Sequence, residues 1–140
     1  MRFAVMLIVL AVHAEPDERE RHQGTWQAVS FVRDGKETLK KIVDSIERMV
    51  EGDHVVWKRD GKSFAGTTME LIPGSDPAGI DLLPDGGPNR EKRVRGIDKI
   101  DGDVLTLCTS DPDQPRPKEF KAEPGSGRTL MTFRRMEKRK

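Results

Sequence analysis

Ile97-Asp98-Lys99-Ile100-Asp101-Gly102-Asp103-Val104-Leu105-Thr106-Leu107-Cys108 reads as a strand, a tight turn and a second strand. Ile, Val, Leu and Thr crowd the two arms, and such side chains suit a pleated, half-buried surface. Asp101-Gly102 between them fits a hairpin, because glycine takes positive φ without steric cost. The same punctuation recurs outward from this block. Asp34-Gly35 and Asp60-Gly61 repeat the pair, while Gly52-Asp53, Pro73-Gly74, Asp85-Gly86-Gly87-Pro88 and Pro124-Gly125-Ser126-Gly127 mark further reversals. Between them lie strand-length segments at 25–33, 48–51, 54–59, 63–72, 79–83, 92–100, 103–109, 118–122 and 128–136. This rhythm predicts an all-β, up-and-down antiparallel sheet of roughly eight to nine strands. An open sheet of that size leaves long edges that pair with other chains, so closure into a barrel is expected.

Side-chain parity adds detail. Val55 and Trp57 share a face opposite His54, Val56 and Lys58, and Met131 and Phe133 share one opposite Leu130, Thr132 and Arg134. Ile97-Asp98-Lys99-Ile100 breaks period two, which predicts a bulge or strand end near Asp98. Pro112, Pro115 and Pro117 break one connection into an exposed loop. Leu39, Ile42, Val43, Ile46 and Met49 instead recur at helical spacing, which predicts one amphipathic helix over 37–47 lying on an end or flank of the sheet.

Composition bounds the class. The chain has 140 residues, of which 35% are charged and 34% hydrophobic, enough for one lean domain and not for two cores. A single Cys excludes a disulfide-stapled mini-protein, and the default for Cys108, in its apolar run, is a small buried hydrophobe. The net charge of +1 carries no basic stripe, so no nucleic-acid partner is expected. The basic tail Arg134, Arg135, Lys138, Arg139 and Lys140 reads as a solvated terminus.

The N-terminus carries the order of a secretory signal: Met1-Arg2, then the uncharged run Phe3 to Val12, then His13-Ala14 before the acidic Glu15-Pro16-Asp17. The expected division is a signal peptide at 1–14, a mobile charged leader at 15–22, a barrel domain at 23–136 and a basic tail at 137–140. A buried N-terminal strand is the alternative for the first segment. The ten-residue run is too short to span a bilayer, so no stable membrane span is expected after cleavage, and the destination is secreted or periplasmic.

Gly24-Thr25-Trp26 at the start of the first strand resembles the Gly-x-Trp signature of lipocalin-type barrels. That resemblance implies that Trp26 plugs the closed end and that a basic residue of the last strand covers its ring. Arg135, which shares parity with Met131 and Phe133, is the candidate, with Arg134 second. More broadly, Gly24-Thr25-Trp26 through Asp34-Gly35-Lys36, Gly96-Ile97 through Cys108, Arg116-Pro117-Lys118-Glu119-Phe120 and Pro124-Gly125-Ser126-Gly127 resemble an uncharacterised lipocalin-like domain family common in secreted proteins of planctomycete bacteria. The likeness covers residues 23–135 and implies a fold and an export route, without a reaction. Lys99 stands where an aromatic residue is the commoner choice in such domains.

The remaining residues carry no recognisable chemical signature. Asp98, Asp101, Asp103, Asp111 and Asp113 crowd one region but lack the spacing of a calcium loop, and His22 and His54 with one Cys form no zinc pattern, so neither metal nor cofactor is expected. Ser126 sits between glycines without the strand and helix of a nucleophile elbow. No catalytic residue is assigned. The bulky groups Trp57, Phe31, Phe64, Met69, Phe120, Met131 and Phe133 are the candidates for lining a ligand cavity, although so few fill a small barrel more readily than they leave a pocket. The expectation is a monomeric, non-catalytic binding module for a small apolar ligand or a macromolecular partner. A filled-core structural or inhibitor-like module is the alternative, and an extracytoplasmic enzyme using carboxylates at the barrel mouth is a further one.

Overall fold

The computed structural model describes residues 18–90 and 92–136; the signal peptide expected at 1–14, the start of the leader and the tail at 137–140 lie outside them. In chain order the elements are α1 (Glu18–His22), β1 (Gly24–Arg33), β2 (Lys36–Glu37), α2 (Lys40–Val43), β3 (Ile46–Glu51), β4 (His54–Arg59), β5 (Lys62–Ile72), β6 (Ala78–Pro84), β7 (Val94–Asp101), β8 (Val104–Ser110) and β9 (Arg128–Arg135). Strands β1 and β3 to β9 pair in order, each antiparallel to the next, and β9 returns to β1. The result is a closed eight-stranded up-and-down barrel, with the two-residue β2 appended to the end of β1.

Turn chemistry enforces this path. Asp34 and Gly35 have φ of 49° and 78°, and Asp60 and Gly61 have 52° and 76°, the paired positive values that match a two-residue turn to the twist of its strands. Period-two alternation then sends one face of every strand inward. Trp26, Ile46, Val50, Val55, Met69, Ile80, Leu82, Leu105, Leu107, Met131 and Phe133 form the buried cluster inside the barrel. Gly96 is required there by space: a Cβ would meet the Cys108 carbonyl oxygen at 2.8 Å.

Four local expectations are corrected. The helix expected over 37–47 is a single turn, Lys40–Val43, because the Ser45 hydroxyl donates to the Ile42 carbonyl and Ile46 onward pairs with β4. Val43 and Ile42 of that turn still pack on the core. The segment 118–122 is no strand; it belongs to a flap, 111–127, laid over the outside of β6 to β8. Pro117 and Ala122 are buried there, and the Cys108 thiol donates to the Lys121 carbonyl at 3.4 Å. That cover explains Ile97. Pairing of β7 with both neighbours runs without a shift through Asp98, so there is no bulge; Ile97 is an outward residue buried beneath the flap. Bulges fall instead between Ala28 and Ser30 and between Trp57 and Lys58.

The fourth correction concerns the leader. Glu18–His22 is helical, and His22 is fully buried. Its carbonyl accepts from Trp26 Nε1 at 2.9 Å, and the Arg21 guanidinium donates to the Ile100 carbonyl at 2.7 Å. Backbone groups captured by distant side chains hold this turn, so no periodicity in its own sequence announces it.

Candidate functional site

The start of β1, the end of β9 and the turns β3–β4, β5–β6 and β7–β8 gather at one end of the barrel, where α1 also lies. Trp26 fills this end. Its side chain is out of solvent, and Arg135 Cζ stands 4.1 Å from its ring centroid. Arg135 also donates to the carbonyls of Gln23 and Arg21, so one guanidinium covers the ring and anchors α1 at once. Arg134, the second candidate, is exposed on the outer face.

The aromatic candidates divide. Phe31 and Trp57 pack on Phe133, with ring centroids at 5.6 Å and 5.8 Å, and Met131 is buried on the same face of β9. These four fill the half of the lumen nearer α2. Phe64 is 58% exposed, and Phe120 lies on the outer flap under Lys99 Nζ at 4.7 Å; neither enters the lumen. Met69 is the one candidate that is both inside the barrel and in the wall of a cavity.

That cavity opens beside α1, between it and the β5–β6 turn, with a volume of about 570 Å³. Met69, Leu71 and Ile72 give it an apolar wall, Asp98 reaches it from β7, and Glu18, Arg19 and Asp53 stand at its rim. A second hollow of about 390 Å³ adjoins it through Glu18, Ser75, Ala78 and Asp98, with Phe120 and Lys99 on its far side.

Behind the apolar wall the lumen is charged. The alternation Ile46-Arg48-Val50 sends Arg48 inward with its apolar neighbours, and its side chain has no exposure. Its guanidinium lies 5.8 Å from the Trp57 ring centroid, and Nη2 reaches Met69 Sδ at 4.0 Å. Nε and Nη1 have no hydrogen-bond partner among the described residues. Burial pushes the guanidinium down to about 10, against the attraction of Asp98. Asp98 is itself 4% exposed, with Oδ1 3.3 Å from His22 Nε2 at an angle that makes no hydrogen bond. Thr67 Oγ1, also inward, is a further buried group without a partner.

Buried polar groups are ordinarily satisfied, since each unpaired donor loses its hydration for nothing. Here Arg48, His22 and Thr67 concentrate that deficit in one lumen. On the outer face the equally buried Asp81 is charge-compensated: Oδ2 accepts from Arg93 at 2.8 Å, and Oδ1, although it makes no well-aligned hydrogen bond, lies 2.7 Å from the flap's Arg116, which also donates to the carbonyls of Ile80 and Gly96. Burial pushes the Asp81 carboxyl up, but those two guanidinium groups outweigh it and hold it below its ordinary value. The aspartates weighed as a calcium cluster are dispersed: Asp103 pairs with Arg135, Asp111 with Arg33, and Asp113 accepts from the Arg93 backbone.

Arg48, Asp98 and His22 were not among the site residues expected from sequence. Arg48 sits where a helical stripe and a strand overlap, and only the strand period turns it inward. Asp98 reads as a turn aspartate until β7 is seen to run straight through it, and His22 precedes the first strand signal. Comparisons of the chain with family models, curated proteins and solved structures gave no match.

Proposed function

We propose that this protein is an exported, non-catalytic, lipocalin-like binding module that takes a small ligand with an apolar body into the cavity beside α1. The carrying observation is the pairing of that cavity, of about 570 Å³ and walled by Met69, Leu71 and Ile72, with unsatisfied polar groups directly behind Met69. Its size lies in the ordinary range for small-molecule sites, and an apolar wall with few convergent polar groups is their usual makeup. Methionine suits the position between cavity and lumen, because its unbranched thioether shifts at little energetic cost. The aromatic half of the barrel serves as solid support and not as the ligand chamber.

Titration with the neutral fluorescent reporter N-phenyl-1-naphthylamine tests the reading. Saturable one-to-one binding is expected, weakened at least tenfold by Ala78→Phe, which fills the cavity from its β6 wall. Absence of saturable binding, or binding indifferent to that substitution, would leave the filled-core alternative standing. Export is tested separately by N-terminal sequencing of the mature protein, which is expected to begin at Glu15; a retained Met1 would contradict it.

A further inference from the structure

Resting on that binding reading, we propose that the ligand is an apolar α-amino acid, its carboxylate held by Arg48 and its ammonium group by Asp98. The barrel's order is the first reason. Between β3 and β7 lie β4, β5 and β6 on one side and β1, β9 and β8 on the other, so Arg48 and Asp98 occupy opposite walls of the eight-stranded barrel. Arg48 forms no ion pair among the described residues, and its Nε and Nη1 have no hydrogen-bond partner there. The lumen thus presents a positive pole and a negative pole that the strands hold apart.

A ligand bearing one charge matches only half of this arrangement. A simple carboxylate satisfies Arg48 Nε and Nη1 but brings a second anion toward Asp98. A simple amine meets Asp98 and leaves the two guanidinium donors orphaned. A compact zwitterion answers both, and the desolvation of each of its charges is offset by a buried partner of opposite sign. His22 Nε2 stands 3.3 Å from Asp98 Oδ1 and adds a further polar group beside the ammonium position. Met69, Leu71 and Ile72 receive an apolar side chain. Arg48 lies directly behind Met69 of the cavity wall, whose sulfur touches it, so its carboxylate partner enters as that unbranched side chain swings aside.

Calorimetric titration of the mature protein tests the assignment with L-leucine and L-phenylalanine, set against 4-methylpentanoate and 3-methylbutylamine, which are leucine without its amino group and without its carboxylate. One of the amino acids is expected to bind at least tenfold more tightly than either single-charge analogue. Asp98→Asn should remove the preference for leucine over 4-methylpentanoate, and Arg48→Met the preference over 3-methylbutylamine, each variant being checked for a cooperative melt. Where Arg48→Met does not fold, the analogue series and Asp98→Asn decide. Analogues that bind as well as the amino acids would overturn the proposal. So would amino acids that fail to bind while the naphthylamine reporter saturates, which leaves the binding reading intact. Failure of reporter and amino acids together would remove both.

Discussion

Arg48 is a charged side chain held wholly out of solvent. Burial pushes its guanidinium down to about 10, an unfavourable contribution of roughly 3 kcal/mol at about 1.4 kcal/mol per unit. The sign follows from linkage. Burial disfavours the protonated form, so the penalty is fully present at every pH below about 10 and is relieved only as the pH rises above that value toward the ordinary guanidinium range. A purely structural lumen has no use for it. The double variant Arg48→Met, Asp98→Asn, which removes both poles and leaves an apolar side chain of similar length, should therefore unfold in urea at a midpoint equal to or above that of the wild type. A clear loss of stability would mean that the charges hold the barrel together. Trp26 is the opposite case. Its ring is fully buried and covered by Arg135, so Trp26→Ala should lower stability by about 3–5 kcal/mol through the cavity it leaves. An unchanged denaturation midpoint would show that the indole plugs nothing.

At the scale of elements, the flap 111–127 decides how the outside of β6 to β8 can be apolar. Ile97 and Cys108 face outward and are nevertheless buried, because Pro117 and Ala122 close over them. Asp81 ties the flap down through Arg116, with Arg93 on its other side. Since the folded-state value of this carboxyl is lowered, its contribution is present above the ordinary 3.8 and is lost as the pH falls below it. The melting temperature of the wild type should thus drop more steeply below about pH 4 than that of Asp81→Asn. Parallel acid profiles of the two would detach Asp81 from flap stability. The 118–122 segment shows why sequence misplaced this element. Its residues have strand-like spacing, but the prolines before it prevent continued pairing, and its cover function depends on contacts with strands far away in the chain. The helix at 37–47 was misjudged in extent for a related reason: Ile46 satisfies a helical stripe and a strand parity equally, and pairing with β4 selects the strand.

For the whole molecule, closure is the governing fact. With β9 paired to β1, the backbone edges of the eight barrel strands are used internally, and Cys108 lies beneath the flap. Sedimentation should therefore show a monomer under both reducing and oxidising conditions; a disulfide-linked dimer would require the flap to open. The sequence alone was enough for the all-β class, the hairpin turns at Asp34-Gly35 and Asp60-Gly61, and the common face of Met131 and Phe133, because these follow from local backbone preference and period-two alternation; the inward place of Trp26 was implied only by the resemblance of Gly24-Thr25-Trp26 to the Gly-x-Trp signature. Only the tertiary structure decided that β3 and β7 stand across the lumen, that His22 folds under the barrel, and that Phe64 and Phe120 stay out of it. Those outcomes depend on which strands meet when the sheet closes, and the distance between residues such as Arg48 and Asp98 is set by that closure and not by anything within either strand.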